Sequence, residues 1–244
     1  MSRIWAPNKY HAAIKPAFAP TQVSAVSAWL RFANGTITGS GFSSVPDVLG
    51  GTSPAVQSTD ANRPASGTSS NGLTIANFTD DFLNWPLSAP INGATKNGFA
   101  CWCKSNLVGF QNLWVIYLGG GGASATKVDF FFSNANLAGE VAPGGTISKN
   151  NYMSANTWHF CTYEYDGTQA TDQARALCTV DGSIIATTNA SIPTSQPTPT
   201  GNAWIGGFGN IQPWVGSIGP NFFALNRQLT SDERAALMGF EQPT

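Results

Sequence analysis

The last third of the chain alternates apolar and polar residues with the two-residue period of a β-strand. The alternation holds over residues 157–165, 175–180 and 217–225. Successive side chains of a strand point to opposite faces of a sheet, so this pattern is typical of strands that place one face in a core. Asp-Gly dipeptides begin at Asp166 and Asp181, and they favour turns between antiparallel strands. The last third therefore predicts an antiparallel sheet.

The same reasoning extends the prediction to most of the chain after residue 72. Turn signals recur about every ten residues, which is the spacing that a two-sheet jelly roll requires. We therefore predict an all-β fold, a two-sheet antiparallel jelly-roll sandwich. The predicted strands are 73–78, 98–104, 112–118, 127–132, 137–141, 157–165, 175–180, 184–188, 203–206 and 217–225.

One short C-terminal helix completes the prediction. Thr230 or Ser231 can cap its first turn, in which Asp232 and Glu233 oppose the helix dipole. Gly239 favours a stop at the other end of the helix. All other segments are predicted to be strand or loop.

The beginning of the chain differs in composition from the rest. Residues 1–22 contain prolines and scattered aromatic residues without any period, which indicates an extended arm. Trp5, Tyr10 and Phe18 are its candidate assembly contacts, docked on the body or on a neighbouring subunit. Residues 23–244 are predicted to form a single domain with an irregular lead-in at 23–72, which is rich in Gly, Ser, Thr and Pro.

Charged residues are scarce, which narrows the function classes. They make up 10% of the chain, against roughly 25% in an ordinary soluble domain, and the net charge is -1. No cluster of Lys and Arg could neutralise a row of phosphates, so a nucleic-acid interface is not expected. No apolar run reaches the length of a membrane span, and the first residues lack the apolar segment of a secretory signal. We therefore expect synthesis in a cytoplasm without membrane insertion.

The four cysteines are Cys101, Cys103, Cys161 and Cys178, and all lie in predicted strands. A four-thiolate zinc site normally shows close pairs on turns, and this spacing does not fit one. Synthesis in a cytoplasm favours reduced thiols. We predict four buried free thiols.

Five pieces of the chain, at 73–83, 99–104, 157–167, 180–183 and 226–233, occur in the order and spacing of a known domain type. They resemble the laminin G-like branch of the concanavalin A-like lectin/glucanase superfamily, over about residues 70 to 240. The stretch 45–64 resembles the lead-in of such modules in tailed-phage structural proteins. The resemblance implies a non-enzymatic virion protein of a phage, in a capsid decoration, head fibre or tail fibre. Its expected partners are other virion proteins, further copies of itself and a host-surface glycan.

Glucanases of this superfamily cleave with paired carboxylates on one strand. The nearest match is Glu164 with Asp166, two residues apart on one face. The favoured alternative is that Asp166 and Gly167 form a hairpin turn with Glu164 solvated beside it. His11 and His159 have no nucleophile motif around them. We therefore predict that the chain is not an enzyme.

The resemblance also implies a calcium ion, because laminin G-like modules often hold one with loop carboxylates and carbonyls. The donors that the sequence offers are Asp80, Asp81 and Asp129. The alternative, which the turn preference of Asp favours, is that they are turn carboxylates. No other cofactor is expected.

Recognition is the function that this reasoning leaves. Sugars stack an apolar face on Trp or Tyr while polar groups bind their hydroxyls. The resemblance assigns Trp102 and Trp158 to the core. For each of the other candidates, burial in the core or in a subunit interface is the alternative. The candidate sugar-binding residues are Trp114, Tyr152, Trp204 and Trp214.

Three hypotheses remain, in this order. The first is a virion structural protein that displays the jelly roll for adhesion to a host surface. The second is a carbohydrate-binding lectin or adhesin module. The third is a glucanase-type glycoside hydrolase, which the scarcity of paired carboxylates disfavours.

Overall fold

The fold is described from a computed structural model. It describes residues 18–86, 95–106, 109–117, 127–133, 136–141, 144–150, 153–185, 187–196, 202–207 and 212–244. For residues 110, 115–117 and 127–133 it describes the backbone alone.

The described residues form eighteen β-strands and two α-helices, with three short 3-10 helices at Pro20–Gln22, Phe32–Asn34 and Asp60–Asn62. The helices are α1 (Asp172–Arg175) and α2 (Ser231–Gly239). The strands are β1 (Val26–Arg31), β2 (Thr36–Thr38), β3 (Gly41–Val45), β4 (Ala55–Val56), β5 (Ala65–Thr68), β6 (Thr74–Phe78), β7 (Leu83–Trp85), β8 (Lys96–Ser105), β9 (Phe110–Tyr117), β10 (Lys127–Ser133), β11 (Asn136–Val141), β12 (Gly145–Lys149), β13 (His159–Asp166), β14 (Ala176–Val180), β15 (Ser183–Ile184), β16 (Thr188–Ala190), β17 (Ala203–Ile205) and β18 (Gly216–Leu225).

The strands build two antiparallel sheets. The first sheet has the order β1-β18-β8-β13-β14-β15. The second sheet has the order β7-β17-β9-β10-β11-β12-β16. Strands β3 to β6 join the two, because β6 pairs with one half of β18 and β4 pairs with β7. The predicted two-sheet antiparallel sandwich with a short C-terminal helix is confirmed.

Aromatic rings from the two sheets meet in the main core. The ring of Trp114 on the second sheet lies 4.2 Å from Phe99 and 5.2 Å from Tyr163 on the first sheet, measured between centroids. Trp85 and Phe222 make a third contact between the sheets at 6.3 Å. Offset and tilted ring pairs of this kind stabilise a core beyond the area that they bury. These contacts show that the sheets pack face to face.

A second apolar cluster lies on the outer face of the first sheet. Trp102 and Phe160 point away from the main core and pack beneath Leu237 of α2. Phe18 joins the cluster through an edge contact with Phe240, at 6.0 Å between centroids. Helix α2 and the segment before β1 thus cover this face, which explains why all eight residues of β13 are buried.

The cap of α2 matches the prediction. Thr230 is the N-cap, its hydroxyl accepts from the backbone N–H of Glu233, and the Glu233 carboxylate accepts from the backbone N–H of Thr230. This reciprocal pair stabilises a helix start, since each bond satisfies a donor that the helix leaves free. No helix within the described ranges is long and apolar enough to cross a membrane.

Several predictions about elements were wrong. The four-residue helix α1 was missed, since it is too short to show a helical period, although Thr171 caps it. The predicted strand 184–188 is two separate short strands, β15 and β16. The lead-in 23–72 is more regular than expected, because it contains β1 to β5. Most of those strands are only two to five residues long, so alternation could not reveal them.

One buried carboxylate organises the loop after β3. Asp47 Oδ1 accepts from the backbone N–H groups of Trp29 at 2.9 Å and Leu49 at 3.0 Å. Asp47 Oδ2 accepts from the backbone N–H groups of Gly51 and Thr52, each at 3.0 Å, and from the Thr52 hydroxyl at 3.1 Å. Backbone donors of this loop and of the neighbouring β1 thus find a buried acceptor.

The four cysteines are free and buried, as predicted. Burial raises the pKa of the Cys103 and Cys178 thiols. The pKa of the Cys161 thiol is also raised, mainly by its hydrogen bond with Cys103 and further by burial. We expect none of the four thiols to react with Ellman's reagent in the folded protein at neutral pH, because all four sulfurs are buried away from the reagent. Four equivalents should react after unfolding in denaturant.

A surface thiol supplies the control for this measurement. Ile184 is 57% exposed, so an Ile184→Cys variant should show one immediate equivalent. Rapid reaction of any native thiol without denaturant would contradict the burial described above.

Candidate functional site

Glu164, the nearest match to a catalytic carboxylate, is buried in an ion pair and is not solvated beside a turn as predicted. Its carboxylate accepts from Arg234 Nε and Nη2 of α2, both at 2.8 Å. It also accepts from the backbone N–H of Leu229 at 2.8 Å and from the Thr162 hydroxyl at 2.7 Å. Helix α2 therefore covers Glu164, and no substrate can reach its carboxylate.

Asp166 and Gly167 do not form the predicted hairpin turn. Strand β13 ends at Asp166, and a longer connection that contains α1 leads to β14. Asp166 Oδ1 accepts from the backbone N–H of Thr168 at 3.0 Å and from its hydroxyl, and Lys96 Nζ lies 3.0 Å from Oδ2. Burial raises the pKa of Asp166, but the bonds from Thr168 and Lys96 outweigh it and hold the value at about 2. This carboxylate anchors its loop.

Two of the predicted sugar-binding residues lie in the core. Trp114 is 2% exposed and Trp214 is fully buried, so neither offers a ring face to a ligand. Trp204 is half-buried, and alternation with the buried Ala203 and Ile205 places it on the outer face of the second sheet. Tyr152 lies outside the described residues.

The other predicted site residues are the calcium candidates and the aromatic residues of the arm, and the structure describes some of them. Asp80 is exposed, and Asp81 Oδ2 accepts from the backbone N–H and hydroxyl of Thr79, which makes it a turn carboxylate. The side chain of Asp129 is not described. Within the described ranges, no group of three or more His, Cys, Asp or Glu side chains could hold a metal ion. Phe18 packs on the body, whereas Trp5 and Tyr10 lie outside the described residues.

A cavity of about 350 Å³ lies between the first sheet and the end of α2. This volume is at the lower end of the range for small-molecule sites, roughly 300 to 1,000 Å³. Its lining combines two tryptophans with a carboxylate and an amide. The lining residues are Trp102, Trp158, Asp181, Ala235, Met238, Gly239 and Gln242.

Three separate parts of the chain position the cavity walls. Trp102 stands on the outer face of β8, and its Nε1 donates to the carbonyl of Met238 at 3.1 Å, which ties the sheet to the end of α2. Trp158 directly precedes β13 and is half-buried. Asp181 lies in the two-residue turn between β14 and β15. Asp181 and Gly182 both have positive φ, as a type I′ turn requires, so the turn predicted from this dipeptide is confirmed.

The side chains around the cavity leave groups for a ligand. Gln242 is exposed, and its side-chain amide makes no hydrogen bond to another described residue. The ammonium of Lys104 lies 5.1 Å from the centroid of the Trp158 ring, a cation–π contact that holds the ring in place. Trp158 packs against the outer apolar cluster and also lines the cavity, so its assignment to the core was incomplete. Only the position of α2 reveals that Trp158 lines a cavity, and no local signal in the sequence indicates it.

A line of hydrogen bonds runs from Asp181 through His159 to Ser154. His159 Nδ1 lies 2.7 Å from Asp181 Oδ2, and His159 Nε2 lies 2.9 Å from Ser154 Oγ. The backbone N–H of Ser154 also points to Nε2, at 3.4 Å. Asp181 Oδ1 accepts from the backbone N–H of Phe160 at 2.9 Å. His159 is buried while Ser154 is exposed, so the line leads from the cavity wall to the surface.

The charge of Asp181 is maintained by its partners. Burial raises the pKa of Asp181, but the hydrogen bonds from His159 and from the Phe160 N–H outweigh that effect, so the pKa lies below its usual value. Asp181 is therefore ionised at neutral pH, and it is the one charged residue among the described residues that line the cavity.

Comparisons with solved structures find proteins of similar fold at low sequence identity. Domain 4 of an extracellular arabinanase from Geobacillus stearothermophilus, solved in complex with arabinotriose, is 11% identical, with a TM-score of 0.60 over 88% of this chain and 98% of that chain. A sialidase from Trypanosoma rangeli is 16% identical, with a TM-score of 0.61 over 90% of this chain.

The chain spans only about a third of the sialidase, since the match covers 34% of that protein. No protein-family model matches the chain, and no curated protein matches it. At such identities the likeness establishes the β-sandwich fold alone.

Proposed function

We propose that the protein is a carbohydrate-binding module that holds a sugar in the cavity beneath α2. The observation that carries the proposal is the composition of the lining, in which Trp102 and Trp158 stand beside Asp181 and Gln242. The half-buried ring of Trp158 offers an apolar surface to the C–H face of a sugar, the buried Trp102 supports the wall behind it, and the carboxylate and amide bind hydroxyl groups. A cavity of about 350 Å³ is sized for a short saccharide.

The geometry of the walls supports the proposal, because the aromatic residues are already fixed before a ligand enters. Trp102 is held by its bond to Met238, and Trp158 by the contact with Lys104. Side chains that lose little conformational freedom on binding lower the entropic cost of association. The arabinanase domain of nearly the same extent gives independent support, since that protein was solved with arabinotriose.

Trp158→Ala is expected to weaken sugar binding by about thirtyfold or more, because a tryptophan contact that becomes buried on binding contributes on the order of 2 kcal/mol. A glycan array would identify the ligand, with arabinotriose and sialic acid as the first soluble probes. Isothermal titration calorimetry on the wild type and the variant would then measure the change in Kd.

Trp204→Ala is the matched control, since Trp204 is also half-buried but lies on the second sheet. It should bind as the wild type does. If binding is lost in Trp204→Ala and kept in Trp158→Ala, the sugar site lies on the second sheet and the cavity assignment is wrong. If the wild type binds no glycan, the proposed function is wrong.

Display on a phage particle stays a prediction from the sequence, because neither of the two solved structures described above is a virion protein. A sugar-binding module is compatible with adhesion to a host surface. Particles purified with their full protein complement would show whether this chain is present.

Cleavage of glycosidic bonds is not proposed. Glu164, the nearest candidate, is enclosed by Arg234, Leu229 and Thr162. We expect no release of reducing sugar from any bound polysaccharide.

A further inference from the structure

The line from Asp181 through His159 to Ser154 has the arrangement of a hydrolytic triad. We propose that Ser154 is a nucleophile that cleaves carboxylic esters, with His159 as general base and Asp181 as the group that orients the imidazole. The two linking distances, 2.9 Å between Ser154 Oγ and His159 Nε2 and 2.7 Å between His159 Nδ1 and Asp181 Oδ2, lie within the range that proton transfer requires.

The hydrogen bonds fix the imidazole tautomer that catalysis needs. An ionised Asp181 can only accept, so His159 Nδ1 carries the proton and donates to it. Nε2 then carries the lone pair and accepts from the Ser154 hydroxyl. The bond from the Phe160 N–H to the other Asp181 oxygen prevents the carboxylate from rotating away. Serine hydrolases of unrelated folds share this arrangement: a histidine activates the serine, and a hydrogen-bonded carboxylate orients the histidine.

A donor for the developing oxyanion is also present. The backbone N–H of Ala155 donates to no group among the described residues, and it directly follows Ser154. The residue after the nucleophile commonly supplies one N–H of an oxyanion hole. Ser154 itself is exposed, so an ester can approach its hydroxyl.

The reaction balances with water as the only co-reactant. Ser154 Oγ bonds to the ester carbonyl carbon as its proton passes to His159 Nε2. The bond from that carbon to the alkoxy oxygen breaks, and the leaving alcohol takes the proton from His159. Water then attacks the acyl-serine, gives one proton to His159, and releases the carboxylic acid as Ser154 regains that proton. Asp181 stays ionised throughout.

The cavity beneath α2 suggests what the alcohol part of the ester is. Asp181 belongs both to this line and to the cavity lining, and Trp158 of the lining is the chain neighbour of His159. An O-acylated sugar would place its ring against Trp158 and its acyl group toward Ser154. This choice of substrate rests on the proposed function, whereas the triad itself does not.

The triad can be tested on the purified full chain without any sugar. A fluorophosphonate probe should add one equivalent to the wild type, seen as a single mass increase, and p-nitrophenyl acetate should be hydrolysed at least about 100-fold faster than by Ser154→Ala. Ser154→Ala and His159→Gln should take up no probe. Ser183→Ala, which changes an exposed serine next to the Asp181 turn, should behave as the wild type.

A wild type that takes up no probe, or a Ser154→Ala variant that takes up as much as the wild type, would overturn the proposal. In the first case the three residues only fix the loop before β13. Thermal melting of each variant distinguishes a lost nucleophile from a lost fold, and Ser154→Cys, which keeps a nucleophile of similar size, should gain one equivalent of an iodoacetamide probe that the buried native thiols do not take up.

A second arm measures acetate release from acetylated sugars. Probe labelling without sugar binding would leave the triad standing and contradict the proposed function. Sugar binding without labelling would do the reverse.

Discussion

Glu164→Gln is expected to lower the free energy of unfolding by about 3 to 5 kcal/mol, the range for breaking a buried ion pair. The variant leaves the guanidinium of Arg234, whose side chain is only 8% exposed, without a counter-charge beneath α2. It also replaces one carboxylate oxygen by an NH2 group, which cannot accept a hydrogen bond. Each oxygen of Glu164 accepts from Arg234 and from either Leu229 or Thr162, so the NH2 group would face donors in either orientation. Urea unfolding followed by fluorescence would measure the change.

Asp60→Asn is the control for this loss of one negative charge. The Asp60 side chain is 63% exposed and pairs with Arg63, so its removal should cost less than about 1 kcal/mol. Joint replacement of Glu164 and Arg234 by methionine should recover most of the stability, because no charge then remains buried. Equal effects of Glu164→Gln and Asp60→Asn would show that the pair is not enclosed as described.

Asp47→Asn is expected to destabilise the protein by about 3 kcal/mol, because hydrogen bonds to a charged acceptor contribute about 1.5 to 3 kcal/mol each. Asn keeps the size of the side chain, but its amide nitrogen would face the N–H groups of Gly51 and Thr52 or those of Trp29 and Leu49. In either rotamer, donors meet donors. The same urea experiment measures the effect.

Asp80→Asn provides the comparison, since Asp80 is exposed in its turn. It should change stability by only a few tenths of a kcal/mol. If Asp47→Asn were as mild, the loop after β3 would be held by other contacts.

The strands with long, regular alternation were predictable from sequence. Strands β8, β13 and β18 contain eight to ten residues each, and their predicted positions differ from the structure by at most two residues at either end. The short strands β2 to β5 of the lead-in were not predictable, because two to five residues are too few to show alternation. The capping box of α2 was visible because all its residues lie within one turn.

The candidate site was less predictable than the fold. Glu164 pairs with Arg234, which lies 70 residues later in the sequence, so no local pattern indicates that Glu164 is buried. Asp181 was explained by its turn, and that explanation is correct but incomplete. Because β14 pairs with β13, the same turn brings Asp181 beside His159 at the start of β13. A search for polar residues at the ends of paired strands could have found this contact.

The covering of the first sheet has a consequence for the order of folding. At one edge of this sheet, β1 pairs with β18. Ser27 and Ala224, which form a hydrogen bond there, are 197 residues apart in the sequence. Helix α2 follows β18 and brings the only partner that neutralises Glu164 among the described residues. A chain emerging from the ribosome therefore has a central strand with an uncompensated charge until α2 has been made. Contacts so distant in sequence slow folding. During that time the exposed apolar face beside Trp102 is a surface that chaperones would recognise.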